Sequence, residues 1–320
     1  MKRLLQGFIQ RSGVGFQYSG RILNNHSLGI FPFFGSVSKS HVMRYLKSNL
    51  NYSVSKSIDR DGSPIELLFV VARKDAKFLS SSIKGAFEST RCHKIISVTV
   101  ICPSKDLEFI HEITDPIKEP IRVVAEDDVI EQVYLSRIKD TFGSRSGWVL
   151  QQLLKIYYAK NSESPGILLI DADTVLLKNR VWLDSNSVQI LMPTWEHHTP
   201  YYDFLRSNSY KLGDDTFSYV SHHMLIQPKI LREMLVSYGL DKLDMTLDIL
   251  SKFSSSGNSP FSIDYEMYAQ YLIAVHPTLV RYEKWANFSV NNLSGKDLDN
   301  LLKIWKKRYN SISAHSYNQN

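Results

Sequence analysis

Residues 145–178 read RSGWVLQQLLKIYYAKNSESPGILLIDADTVLLK. The segment opens with a helical pattern from about Ser146 to Lys160, breaks over Asn161–Pro165, and closes on Gly166–Ile170, a run that is apolar without alternation. An unbroken apolar run bounded by turn residues suits a central strand of a parallel sheet, where helices cover both faces. Asp171 stands at the carboxyl end of that strand, the edge at which open α/β sheets bind their ligands. If the backbone stays extended, Asp171 and Asp173 project to the same side with small Ala172 between them. Two carboxylates so placed can hold a hard divalent cation, Mg2+ or Mn2+, whose other ligands are water and phosphate oxygens.

On the helix, Trp148, Gln151, Gln152 and Lys155 fall at i, i+3, i+4 and i+7 and share one face. Leu150, Leu153, Leu154 and Tyr157 form the adjoining apolar stripe that can pack on the sheet. Amides beside a tryptophan and a lysine can hydrogen-bond a hydroxyl-rich or phosphorylated ligand, although the pattern alone reads as a solvated helix face.

Upstream, Ile65–Val71 within PIELLFVVARKD is a second buried-strand run, followed by a helix in DAKFLSSSIKGAF with Phe78, Ile83 and Phe87 inward. A strand at KIISVTVIC, a helix at SKDLEFIHEI, a strand at IRVVAED and a helix around VIEQVYLSRI continue the alternation. Strands alternating with helices argue for βαβ units and a mostly parallel sheet. Downstream the pattern changes: SVQILMP and FSYVSHHMLIQP read as strands, KILREMLVSYG, LDMTLDILSKF and SIDYEMYAQYLIA as helices, and SSSGNSP as a loop. The expected fold is therefore α/β, a Rossmann-type mostly parallel sheet with helices on both faces and a mixed second half.

The chain has 320 residues, 43% hydrophobic and 22% charged, the balance of an ordinary globular protein able to bury a large core. Its two cysteines, Cys92 and Cys102, are too few for a disulfide framework, which makes a reducing, cytoplasmic setting the default expectation. No run approaches the length needed to span a bilayer, and the opening MKRLLQGFIQRSG is too short and interrupted for a secretory signal. Basic charge is concentrated in residues 1–61, which hold nine Lys or Arg against Asp59 and Asp61. A basic, acid-poor segment suits peripheral contact with an anionic membrane face or an organelle transit peptide, and a plain solvated extension equally. Nucleic-acid binding is not expected, because the rest of the chain continues no basic stripe. The expected division is a basic extension over 1–62, a main domain over 63–285 and a helical tail over 286–320.

GWVLQQLLKIYYA, LLIDADTVLL, SYVSHHMLIQP and FSIDYEMYAQY together resemble a bacterial family of unconfirmed function with the pattern W-x2-QQ-x2-K, D-x-D, S-H-H and S-E-Y-E-x-Y. That family is similar to the GT-A glycosyltransferases, which use a nucleotide-diphospho-sugar donor and a metal held at a D-x-D motif. The likeness spans roughly residues 64–283. It implies a GT-A-like sheet, a divalent cation (Mn2+ or Mg2+) at Asp171 and Asp173, and donor contacts from Ala72, Arg73 and Asp75 at the end of the first strand. Trp148, Gln151, Gln152 and Lys155 would join the donor side. Asp264 stands where the family has glutamate, one methylene longer. Glu126, Asp127 and Asp128 end the third strand in a similar place but read more simply as a solvated loop.

An inverting transferase needs a carboxylate to take the proton of the acceptor hydroxyl. Asp264, near a helix start, is the first candidate, with Glu266 and Glu196 behind it. A retaining enzyme needs no such base, and the sequence leaves the two open. Adjacent residues of a strand face opposite ways, so only one of His222 and His223 can reach a given site; they are assigned to the acceptor side. The GT-A resemblance also implies a late histidine as a further metal ligand, for which His276 is the candidate, an ordinary strand-start histidine being the simpler reading. A zinc hydrolase is disfavoured, because no HExxH helical pair is present.

The expected function is transfer of a sugar from a nucleotide-diphospho-sugar to a hydroxyl of a surface glycan or a lipid-linked acceptor, in polysaccharide or glycolipid synthesis. A sugar-phosphate nucleotidyltransferase is the alternative enzyme, though VVARKDAKF lacks the glycine of its phosphate loop. A non-catalytic glycan-binding protein of the same fold is the alternative from another class, and the intact D-x-D speaks against it.

Overall fold

The computed structural model describes residues 62–194, 198–255, 260–283, 286–290 and 304–314. Each apolar run of the first half becomes a strand: β1 (Ile65–Val70), β2 (Ile95–Cys102), β3 (Arg122–Ala125) and β4 (Ile167–Asp171) pair in parallel in the spatial order β3-β2-β1-β4. Helix α1 (Ala76–Ser89) joins β1 to β2, α2 (Leu107–Thr114) joins β2 to β3, and α3 (Gln132–Phe142) with α4 (Ser146–Lys160) joins β3 to β4. Side chains alternate across a strand, and the core divides accordingly. Leu67, Phe69, Leu168 and Ile170 pack with Leu79, Ile83 and Ile110 of α1 and α2. Leu68, Val70, Ile167 and Leu169 pack with Val149, Leu153 and Ile156 of α4 on the other face. With helices on both faces, β4 has no position at which a polar side chain would be solvated until its end at Asp171, which lies opposite Val70 of β1.

The second half supplies β5 (Thr174–Leu176), β6 (Gln189–Leu191), α5 (Thr199–Ser207), β7 (His223–Ile226), α6 (Pro228–Ser237), α7 (Leu243–Ser255), α8 (Glu266–Val275), β8 (Val280–Tyr282), β9 (Asn287–Val290) and β10 (Ser311–Ala314). β7 runs antiparallel beside β4, with Ile170 opposite His223, and closes the five-stranded sheet. Two small sheets, β5-β10-β9 and β6-β8, flank it. The result is the expected α/β architecture, a mostly parallel sheet with helices on both faces and a mixed second half.

Four local expectations change. The backbone does not stay extended through D-A-D: β4 ends at Asp171, Ala172 and Asp173 form a turn, and β5 begins at Thr174. The strand expected over FSYVSHHMLIQP is confined to His223–Ile226, because His222 takes φ 64°, a left-handed value that stops pairing one residue earlier. The helix expected from Ser262 starts only at Glu266, leaving Asp264 and Tyr265 in the turn before it. Of the tail expected to be helical over 286–320, the described residues include strands: β10 pairs antiparallel with β5 and parallel with β9. Both cysteines are free thiols. No described helix is long and apolar enough to cross a membrane. The basic extension expected over 1–62 lies outside the described residues, apart from Gly62.

Candidate active site

Helix α4 delivers Lys155 to the carboxyl end of β4, and the sheet buries it there with 3% of its side chain exposed. A buried ammonium is tolerated only when paired and fully hydrogen-bonded. Lys155 Nζ donates to Asp171 Oδ1 at 2.6 Å, to Asp264 Oδ2 at 3.0 Å and to the Tyr265 hydroxyl at 3.1 Å, which uses its three protons. The Tyr265 hydroxyl in turn donates to Asp171 Oδ1 at 2.8 Å. Burial alone would lower the Lys155 pKa, but the oxygens of Asp171, Tyr265 and Asp264 outweigh it and hold the ammonium well above its ordinary value. Burial alone would raise Asp171; Lys155 and His222 outweigh it and hold the carboxyl well below the usual carboxylate range. Burial and the Asp171 charge push the Tyr265 phenol well up, so it stays protonated and acts as a donor.

The turn after β4 brings Asp173 close by. Its backbone carbonyl accepts from Ala314 N at 2.9 Å, so β10 backs the turn. Its carboxyl is pushed up to about 7, first by burial, then by the Asp171 charge and, after an opposing effect of His222, by Asp75. Asp75 and His222 are thus electrostatic neighbours of the turn. His222 presents Nδ1 3.4 Å from Asp171 Oδ2, while its backbone carbonyl accepts from Asp171 N at 2.9 Å. His222 therefore stands beside Asp171, and of the two histidines it is the one that reaches this cluster. His223 belongs to the core: it is 2% exposed, its Nε2 lies 3.4 Å from Met192 Sδ, and its ring meets Trp182 edge-on at 5.4 Å. Burial and then His222 push it down to about 3, so it is neutral.

The remaining candidates separate into those near this cluster and those with other work. Gln152 is buried, and its Oε1 accepts from Ile263 N at 2.8 Å, so it pins the Ser262–Tyr265 turn to α4 instead of meeting a ligand. Gln151 is half-buried one position earlier. Trp148 packs on Phe261 at 5.3 Å and lies beneath the Arg145 guanidinium at 4.9 Å. Arg73, past the exposed Ala72, reaches across to Asp106 at 2.8 Å and over the Phe109 ring at 4.2 Å, tying the loops after β1 and β2 together. Burial and then Asp127 raise the pKa of Glu126 at the end of β3.

The general-base candidates are corrected by their surroundings. Glu266 is 0% exposed, and its carboxyl accepts from Ser218 Oγ at 2.9 Å, Tyr219 N at 2.9 Å and Gln270 Nε2 at 2.8 Å. An acceptor hydroxyl has no path to it; its work is to anchor the 218–219 loop on α8. Asp264 is 4% exposed and is committed to Lys155, with Ser262 Oγ at 3.2 Å and Tyr265 N at 3.0 Å on its other oxygen. Glu196 lies outside the described residues. His276 is at the far end of α8, about 15 Å along the helix from the Lys155 cluster at 1.5 Å per residue, and it pairs with Glu233 at 3.1 Å. It is therefore not a third ligand for Asp171 and Asp173. Sequence reasoning passes over Tyr265 although it sits inside the S-x-D-Y-E pattern; between Asp264 and Glu266 the two carboxylates draw the attention, and only the fold reveals what the Tyr265 hydroxyl meets.

Among the described residues, no three His, Cys, Asp or Glu side chains are grouped to hold a metal ion. A Mg2+- or Mn2+-type ion takes one or two protein carboxylates and completes its shell with water and phosphate, so Asp171 and Asp173 are the described residues that could hold one.

Residues 71–305 match a family of unknown function, DUF6492. The chain belongs to this family. No curated protein matches the sequence. Among solved structures, apo mouse xyloside xylosyltransferase 1 is similar at 10% identity and TM-score 0.45, covering 79% of this chain and 98% of its own. An active-site mutant of LgtC is similar at 12% identity and TM-score 0.44, covering 78% of this DUF6492 chain and 86% of its own. The galactosyltransferase LgtC with donor and acceptor sugar analogues matches at 12% identity and TM-score 0.43, with the same coverage of 78% and 86%. The site, and not these likenesses, carries the functional argument.

Proposed function

We propose that this DUF6492 protein is a glycosyltransferase whose donor, a nucleotide-diphospho-sugar, binds at the carboxyl edge of the sheet around Asp171 and Asp173. The observation that carries the reading is the turn after β4, where an Asp171 held ionised by Lys155 stands two residues from a second carboxyl, both half-buried, with His222 and Asp75 as electrostatic neighbours. Asp171 and Asp173 would hold a divalent cation against the donor diphosphate. A cation bound there supplies charge stabilisation for a departing nucleoside diphosphate. Lys155 keeps Asp171 charged whether or not a ligand is present, so the site needs no proton loss at that residue before binding. Gln152, through Ile263, holds the segment carrying Asp264 and Tyr265 in register with α4. The Arg73–Asp106 pair and the Phe109 ring form the rim beyond Ala72, where a nucleoside would lie. The acceptor is a hydroxyl of a glycan or lipid-linked saccharide.

The test is a thermal-shift screen of nucleotide sugars and nucleoside diphosphates with and without Mn2+. The expected result is stabilisation by at least one nucleotide that needs the metal and is lost in Asp173→Ala. At a ligand concentration of 100 Kd, the stabilisation is about 2.7 kcal/mol. No response from any nucleotide would sink the proposal.

A further inference from the structure

We infer that Tyr265 and Asp264 are the positioning residues of this site, setting the orientation of Asp171 and the share of the Lys155 charge that falls on it. The inference rests on reading Asp171 and Asp173 as a cation- and diphosphate-binding pair. Lys155 alone is a poor guide for a carboxylate, because an ammonium on a four-carbon stem is a swivelling point charge. The Tyr265 phenol is rigid by comparison, 3% exposed, and donates to the same Oδ1 that Lys155 meets, at 2.8 Å. Its placement is fixed from both sides. Ile263 N is held by Gln152 of α4 at 2.8 Å, Tyr265 N by Asp264 Oδ1 at 3.0 Å, and Met267 N closes on Ser262 O at 3.0 Å at the start of α8. With Oδ1 taken by two donors, the carboxylate plane is set and Oδ2 is left towards His222.

Asp264 does the complementary work. It draws Lys155 Nζ to 3.0 Å, so one ammonium is divided between two carboxylates. A carboxylate neutralised by an ammonium of its own would attract a divalent cation weakly. Sharing leaves Asp171 with net negative charge while meeting the hydrogen-bonding needs of the buried lysine.

The experiment is Mn2+ titration of the full chain, with free Mn2+ read from its electron paramagnetic resonance signal and no nucleotide or turnover required. Wild type binds Mn2+, and Asp173→Ala abolishes the binding, which locates the ion. Tyr265→Phe, folded as judged by circular dichroism, is expected to weaken binding by about 10–100-fold, the range seen when partners that orient metal ligands are removed. Asp264→Asn is expected to weaken it in the same direction, because Lys155 then falls wholly on Asp171; this second variant decides the matter if Tyr265→Phe fails to fold. A merely structural role for the two residues would lower thermal stability and leave the Mn2+ affinity of the folded protein unmoved. Unchanged affinity in the folded variants would overturn the positioning role and leave the donor-site reading standing. Absence of Mn2+ binding in wild type, or its survival in Asp173→Ala, would overturn both.

Discussion

Lys155 concentrates the electrostatics of the site in one side chain, and its removal separates structure from function cleanly. Lys155→Met keeps most of the volume but leaves Asp171 and Asp264 buried without their cation. Stripping one partner from a buried ion pair costs about 3–5 kcal/mol, and that loss of unfolding free energy is the outcome expected in urea denaturation. Glu266 gives a second, pH-dependent test. Its carboxyl is pushed up from 4.5 to about 6 by burial, against the pull of Gln270, Tyr219 and Ser218. The folded protein therefore binds that proton more tightly than the unfolded chain. The stability it lends is fully present below about pH 4.5 and is lost as pH rises through about 6. Glu266→Gln cannot titrate, so between pH 4 and 7 the stability difference should move in the variant's favour by about 2 kcal/mol. Equal pH dependence in the two proteins would show that Glu266 ionises normally. Asp171, Asp173 and Lys155 stand out in sequence because strand end and helical spacing are local properties, but Lys155, expected to meet the donor, instead spends its three protons on Asp171, Asp264 and Tyr265. Asp264 and Glu266 were misjudged as bases because burial and partners are decided by segments far apart in the chain, Lys155 for one and Ser218–Tyr219 for the other.

Helix α4 is both a wall of the core and the scaffold of the site, and one face of it does each job. Leu153, Leu154 and Tyr157 pack into the core, as the apolar stripe required, and Ile156 joins them, while Gln152 and Lys155 turn towards the segment before α8. Half of the polar face is thus covered: Gln152 and Lys155 are each 3% exposed, while Trp148 and Gln151 are half-buried. Sequence periodicity identifies a polar face but not what covers it. Here the cover is the Phe261–Tyr265 turn, whose own apolar residues hide it among helix-forming neighbours. Gln152→Ala leaves Ile263 N buried without an acceptor, a loss of about 1–3 kcal/mol. Hydrogen exchange at Ile263 and Tyr265 should accelerate in that variant more than at Leu168 in the central sheet. Uniform acceleration across both would mean that Gln152 acts on global stability and not on the turn.

The chain closes on itself at the strand that follows the aspartates. β5 leaves the D-A-D turn, β10 returns from more than 130 residues later to pair with it, and Ala314 N reaches back to the Asp173 carbonyl. The alternation of strands and helices in the first half announced a parallel sheet because each unit is built from neighbours in sequence. This closure was invisible, since Ser311–Ala314 reads SISA, too short and too polar to stand out, and a helical tail was expected in its place. Its core is correspondingly small: Val175, Leu177, Tyr309 and Ile312 form a cluster of their own beside the two large clusters of the main sheet. Free energies of local opening scale with the apolar surface that holds a unit in place, so the β5-β10-β9 sheet should open without global unfolding. The amide of Ala314 is then expected to exchange well before those of Leu168 and Leu169, which are buried in the centre of β4. If Asp173 binds the cation and donor, opening of β10 and ligand binding compete. Mn2+ with a stabilising nucleotide at 100 Kd should slow exchange at Ala314 by up to about 100-fold. Exchange at Ala314 unaffected by a ligand that stabilises the whole protein would mean that the turn holds its shape without β10, and that the closing strand serves packing alone.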